Sequence, residues 1–296
     1  MKWIVFVAMG AIGCGDAGAP SDADRHADAG TSVAADAGVG ADASVGVGAE
    51  GGADVDSREH ADAAPGSDAS TCVACDDFER GIVGQPPGGL WTVSTPNCSG
   101  VGAIAIDDSQ AHHGTRSVKV TGAGGYCNHV FFATPIAMAR PTTWIRFFVR
   151  FDAALGDGHT TFLAMRDARD GKDLRMGGQN RVLMFNREAD DATLPAMSPA
   201  GTAKSVAPRI RTWTCVEAAM DSIAKTIRTW VDGAVVDGMV VDGAPTPDVD
   251  EAWLRDTAWS PDLVDARFGW ESYAGQADTL WFDDVAIGEA RFGCGG

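Results

Sequence analysis

The sequence predicts an all-β fold: one β-sandwich or jelly roll built from two antiparallel sheets. Three observations carry this. From Cys72 onward, short stretches rich in β-branched and aromatic residues recur, divided by turn residues. One of them, Thr143–Phe151, alternates throughout. It places Ile145, Phe147, Val149 and Phe151 on one face and Trp144, Arg146, Phe148 and Arg150 on the other. No stretch keeps an amphipathic helical period for more than about three turns. Many short antiparallel strands over roughly 220 residues fit one sandwich better than several domains.

Taken in order, the chain begins with an export signal, residues 1–14. Lys2 supplies the charged start, Trp3 to Met9 a short apolar run, and Ala11-Ile12-Gly13-Cys14 a small-residue end. The apolar run is too short to cross a bilayer as a helix. Ala-Ile-Gly-Cys resembles a bacterial lipobox, in which Cys14 is lipidated; a plain secretory signal is the alternative. Gly15 after the cysteine, where Asp would retain the protein at the inner membrane, resembles an outer-membrane address. Residues 15–70 are almost entirely Ala, Gly, Asp, Ser and Val, with twelve acids against two bases. Such a segment cannot bury enough apolar surface to offset chain entropy, so it reads as a disordered tether. His26 and His60 lie in it, with no role assigned.

Residues 71–296 hold the folded domain. Strands are expected at Leu90–Val93, Ala103–Ile106, Arg116–Val120, Val130–Ala133, Thr143–Phe151, Thr160–Met165, Val182–Phe185, Ile210–Met220, Thr226–Val231, Ala234–Val236, Arg267–Trp270 and Thr279–Ile287. Asp232-Gly233 between two such runs signals a two-residue hairpin. The net charge of −18 is unevenly spread, and the domain is only mildly acidic. With no basic run or face, nucleic acid is excluded as a partner.

The stretch most suggestive of function is Asp173–Pro195. Strands Leu174–Met176 and Arg181–Asn186, joined by Gly177-Gly178, could set Arg175, Gln179 and Asn186 on one concave surface. Arg binds carboxylate as a fork and amides both donate and accept, so such a surface suits a hydroxyl-rich, anionic ligand. A hairpin with a merely solvated charged face is the plainer alternative.

Seven cysteines less Cys14 leave six, an even number that implies disulfides in an exported protein. Cys98 and Cys127 flank an early strand pair, and Cys215 and Cys294 could tie an inner strand to the C-terminus. Cys72 and Cys75 could bridge each other. A zinc or redox role for that pair lacks a second CxxC, a nearby histidine or a βαβ context.

Asp76-Asp77-Phe78-Glu79 opens the domain and Trp281-Phe282-Asp283-Asp284-Val285 nearly closes it. First and last strands are neighbours in many jelly rolls, so these carboxylates could meet over a calcium ion. Carbonyls from the loop 108–112 would complete the shell, and Glu79, Ser109, Asp283 and Asp284 are the candidate ligands. Alternation argues that Asp283 and Asp284 point to opposite faces, so that one of them is a side-chain ligand.

Several blocks together resemble a secreted family of fungi and bacteria, the cellulose-induced jelly-roll proteins. They are Asp76–Glu79, Ala111–Ser117, Gly125–His129, His159–Phe162, Leu174–Gln179, Asn186–Pro195, Gly269–Tyr273 and Leu280–Val285. The match runs over nearly all of residues 76–294. The family is similar in structure to polysaccharide lyases acting on glucuronan and alginate. The resemblance implies a concanavalin-like β-jelly roll with a concave cleft holding Arg175, Gln179 and Asp191. It also implies a calcium ion near the N-terminus and disulfides Cys98–Cys127 and Cys215–Cys294. Two features depart from the family: the lipobox and tether stand where fungal members carry a linker and cellulose-binding module, and the alginate-lyase signatures Arg-x-Glu-x-Arg and Gln-Ile-His are absent.

The implied activity is lysis of a polyuronate such as glucuronan by β-elimination. It needs a neutraliser for the substrate carboxylate, a base and an acid. Arg175 and Gln179 are the neutralisers. His159 or His129 is the base, since His112-His113 look like loop residues. Tyr273 or Tyr126, the two tyrosines, is the acid, and Asp191 could orient the histidine or Arg175. Asn186, Arg181 and Trp270 are further substrate-binding candidates. Two facing carboxylates from Glu188, Asp190, Asp191, Glu217 and Glu271 would instead serve a hydrolase. No Gly-x-Ser-x-Gly elbow supports an esterase. A non-catalytic polysaccharide-binding lipoprotein with the same cleft is the competing reading. The expected partners are an acidic polysaccharide and, through Cys14, outer-membrane lipid. The expected state is a monomer at the cell surface.

Overall fold

Fifteen strands and two single-turn helices make up the structure, a computed structural model that describes residues 72–95, 101–125 and 128–295. All lie in one compact unit, Ala61–Gly296. Cys14, the segment 15–70, Cys98, Tyr126 and Cys127 lie outside the described residues.

The strands are β1 (Cys72–Asp76), β2 (Thr92–Ser94), β3 (Ala103–Asp107), β4 (Ser117–Gly122), β5 (Val130–Pro135), β6 (Thr142–Phe151), β7 (Thr160–Arg166), β8 (Asp173–Gln179), β9 (Val182–Arg187) and β10 (Ala192–Leu194). After helix α1 (Pro199–Thr202) come β11 (Thr214–Asp221), β12 (Thr226–Val231) and β13 (Ala234–Val241). Helix α2 (Glu251–Leu254), β14 (Asp265–Ser272) and β15 (Asp278–Gly288) complete the chain. The first sheet runs β13-β12-β11-β6-β15-β4-β3, with β1 paired to β15. The second runs β10-β9-β8-β7-β14-β5-β2. Every ladder is antiparallel. This is the two-sheet jelly roll that the strand pattern predicts.

β6 shows why the sheets stack. Ile145, Phe147, Val149 and Phe151 are all buried between the layers, as alternation requires. They meet Phe132, Phe268 and Phe282 from three other strands, with Phe147 and Phe268 at 5.3 Å and Phe132 and Phe268 at 5.5 Å between ring centroids. Burying each such side chain contributes about 1.5–3 kcal/mol. Trp270 joins this core, fully buried, with the same parity as Phe268. It is therefore sealed between the sheets and has no face to stack on a sugar, which corrects its assignment as a substrate-binding residue.

The β8–β9 hairpin also differs from expectation. Gly177 and Gly178 lie inside β8, and the turn is made by Asn180 and Arg181 at φ 51° and 67°. A Cβ on Gly177 would stand 1.7 Å from the Thr160 carbonyl oxygen, so the glycine is there for close approach of β7. Disulfides Cys72–Cys75 and Cys215–Cys294 are formed. β1 pairs with β15, bringing the two ends of the domain together.

Candidate functional site

The register of the second sheet stacks polar side chains in rows on the face turned away from the core. Leu163, Met165, Leu174, Met176, Leu183, Phe185 and Phe268 point inward, so their neighbours in sequence point outward. One row reads Thr193, Asn186, Arg175, Ala164, Arg267 and Ala133 from β10 to β5. The next reads Met184, Gly177, Thr161 and Glu271. Beyond it Gln179 ends β8, while the main chain of Tyr273 donates to the carbonyl of His159 at 3.0 Å. Although they are on an outer face, Asn186, Arg175, Glu271 and His129 are all buried, so this face is recessed.

The side chains converge on Tyr273. The His159 ring stacks on it with centroids 5.4 Å apart, and His129 meets it edge-on at 5.8 Å. The Arg175 guanidinium lies 5.7 Å from the same ring. Arg175 and Gln179 start about 13 Å apart along the strand. The Arg175 side chain lies between the Tyr273 ring, at 5.7 Å, and Glu188, at 3.4 Å. The expectation that a Gly-Gly turn would bring the two together is thus replaced by a shared face of one strand.

His129 Nε2 is 3.1 Å from Glu271 Oε1, a buried pair. Sequence reasoning left Glu271 as a spare acid; its alternation with Tyr273 two residues on was the available signal. Arg175 Nη2 is 3.4 Å from Glu188 Oε2. Burial pushes the Glu188 carboxyl up, but the Asp173 N–H and the charges of Arg175 and Lys172 outweigh it and hold the group below its ordinary range. Arg175 Nε and Asn186 Oδ1 are buried without a hydrogen-bond partner among the described residues. Their residues sit directly opposite each other on the ladder. A donor and an acceptor left open side by side have the chemistry to hold a carboxylate and a hydroxyl.

His159 is the most perturbed group of the cluster. Burial, followed by the Arg175 charge, depresses its imidazole to about 4, against a smaller opposing effect of Asp191. At neutral pH it is therefore an uncharged base. Asp191, at φ 56° in the turn before β10, thus reaches His159 through charge. Arg181 belongs to the hairpin turn, where it forms an exposed pair with Asp157, Nε to Oδ1 2.8 Å. The structure does not bring it to the Arg175 row.

Of the five acids open to a hydrolase, two are engaged elsewhere, while Glu188, Asp191 and Glu271 stay in the cluster. Asp190 grips Arg187 at 2.7 and 2.8 Å, and Glu217 on the other sheet holds Arg291 and the N–H of Gly293.

The candidate calcium ligands are also redistributed. Glu79 Oε1 accepts the N–H groups of Thr115 and Arg116, and Oε2 the Thr115 hydroxyl. The Ser109 hydroxyl bonds to Asp107. Asp283 Oδ2 accepts from the main chain of His112 and His113, and its Oδ1 from Asp284. Burial and, in part, Asp284 push the Asp283 carboxyl up to about 7. An irregularity in β15 between Asp283 and Ala286 brings both aspartates to the same loop, overriding simple alternation. Among the His, Cys, Asp and Glu side chains of the described residues, Asp284 groups within 4.8 Å with His112 and His113. Their side chains, read as bystanders in a loop, are part of that cluster.

Fold and cleft together define a jelly roll of the polysaccharide-lyase-like class. The model of that family's Cip1-like core domain matches residues 77–290. The chain belongs to this Cip1-like family. The cellulose-induced protein Cip1 is similar over 75% of this chain and 100% of its own, at 40% identity and a TM-score of 0.69. The endo-β-1,4-glucuronan lyase of the fungus Trichoderma reesei shares the fold at 16% identity, with a TM-score of 0.51 over 74% of this chain and 96% of its own. No curated protein sequence matches significantly.

Proposed function

We propose that this protein is a polysaccharide lyase that cleaves a polyuronate such as glucuronan by β-elimination. The observation that carries the reading is the gathering of a neutral His159, the Arg175 guanidinium and Tyr273 around one point on a recessed sheet face. Arg175, with Asn186 and Gln179, would engage the uronate carboxylate and stabilise the charge that builds on it as the adjacent carbon loses its proton. His159 would take that proton, and the Tyr273 hydroxyl would protonate the departing glycosidic oxygen. His129, fixed by Glu271, would hold the Tyr273 ring through its edge-on contact. In this reading Cys14 carries lipid, and the acidic segment holds the domain at the outer cell surface, as the lipobox-like sequence suggests.

The test is incubation with glucuronan and a panel of other polyuronates, followed by the ultraviolet absorbance of the unsaturated product. Absorbance should rise on glucuronan and fall at least about a hundredfold in rate in His159→Ala and Arg175→Ala. No rise on any substrate, with binding retained, would leave a polysaccharide-binding protein; neither binding nor turnover would end the proposal.

A further inference from the structure

The outer face of the first sheet carries a row of its own. The ladders set Lys119 of β4 against Trp281 of β15, and Trp281 against Arg150 of β6. In β11, Thr214 stands opposite Val149, so Trp213 falls beside Arg150. Val149 points into the core, so Arg150 and its row partners point away from it. The Lys119 ammonium lies 5.3 Å and the Arg150 guanidinium 5.0 Å from the centre of the Trp281 ring. Two strand spacings, about 10 Å, separate the strands that carry the two cations.

These charges are open. Elsewhere guanidinium groups hold carboxylates, as Arg187 does with Asp190 and Arg267 with Asp173. Neither the Lys119 nor the Arg150 side chain makes a hydrogen bond or ion pair among the described residues; their contact is with the Trp281 ring. A cation held over a ring keeps its N–H donors open for a carboxylate. Asp107, at the end of β3, feels the Lys119 charge. It already accepts from the Ser109 N–H at 3.2 Å and from the Trp281 indole N–H at 2.8 Å, and the second bond fixes the ring. Trp281 is buried, whereas Lys119, Arg150 and Trp213 are half-buried and meet solvent. In a chain of net charge −18, two adjacent cations without an acid of their own complement an anion from outside.

We propose that Lys119, Arg150 and Trp213 form a second binding site for an acidic polysaccharide, on the sheet opposite the cleft. Cations about 10 Å apart suit carboxylates that recur along an extended uronate chain, and Trp213 offers an apolar surface to a sugar ring. A single line of donors fits a linear polymer better than the plane of a membrane. The site performs no chemistry. It raises the local concentration of polymer at the cleft, as a second linked contact does. The inference rests on the acidic substrate proposed above.

The test is calorimetric binding to the full chain carrying Arg175→Ala, which disables the cleft. The probes are glucuronan, its carboxyl-reduced neutral form and anionic phospholipid vesicles. In this background, Lys119→Gln with Arg150→Gln should weaken glucuronan binding at least about tenfold, and Lys119→Arg with Arg150→Lys should keep it. The glutamine pair should leave the Tm nearly unchanged, since its stems still cover the ring. With Arg175 intact, it should raise KM for long polymer more than for a short oligosaccharide. Glucuronan binding unchanged in the glutamine pair, equal binding of the neutral polymer, or binding of vesicles in place of polymer would overturn the proposal. Turnover on glucuronan alongside any of these strikes this site alone. No turnover, with the binding difference intact, ends the lyase reading and leaves this site standing.

Discussion

A histidine in water titrates near 6.5, whereas His159 is held at about 4 by burial and by Arg175. The sign of the consequence is fixed. The neutral ring is the active base, so activity should persist as pH falls through 6 and fail only near 4. The acid limb of kcat/KM against pH measures this, and a limb near 6.5 would assign the proton transfer to another group. Stability follows the same linkage: below 6.5 the unfolded chain takes up a proton that the folded one refuses, so the fold loses stability between 6.5 and 4. Much of this site was readable in residues. Arg175, Gln179 and Asn186 were readable as one polar surface, though through a Gly-Gly turn that the structure replaces, whereas His159 and Tyr273 stood out only as two of few histidines and tyrosines. The pairing of Glu271 with His129 was not readable, because it depends on the register of β14 against β5, where Trp270 opposite Val130 sets Glu271 beside His129.

At the scale of elements, strands that alternate strictly were legible and those without a pattern were not. β6 and β12 follow their side-chain periodicity closely. β1 reads as a pair of cysteines, and three-residue β10 is too short to show a period. The Gly177-Gly178 pair reads as a turn because glycine favours turns, yet here Gly177 gives β7 and β8 room to approach while Gly178 makes room for Leu155. Gly177→Ala should therefore cost at least about 3 kcal/mol by denaturant melt, since the methyl would meet backbone rather than a movable side chain. Gly171→Ala, where only a φ of 68° resists, should cost about 1 kcal/mol. Equal costs would mean that Gly177 is not under the constraint described.

For the whole molecule, Cys215–Cys294 closes 79 residues of chain and secures the C-terminal segment against the first sheet. Glu217 in the same strand binds Arg291 and Gly293, so the tail has a polar hold as well. Cys215→Ser paired with Cys294→Ser should lower stability by about 2–5 kcal/mol in urea melts. Turnover per folded molecule should stay the same, because the cleft is on the other sheet. Loss of activity without loss of stability would tie the two layers together more closely than the contacts do.

The register of β1 against β15 sets Cys72 opposite Gly288, so both ends of the folded domain belong to the layer that does not carry the cleft. A support, a fusion partner or a membrane attached through either end therefore pulls on one layer alone. The face that would accept a long sugar chain is left mechanically unloaded.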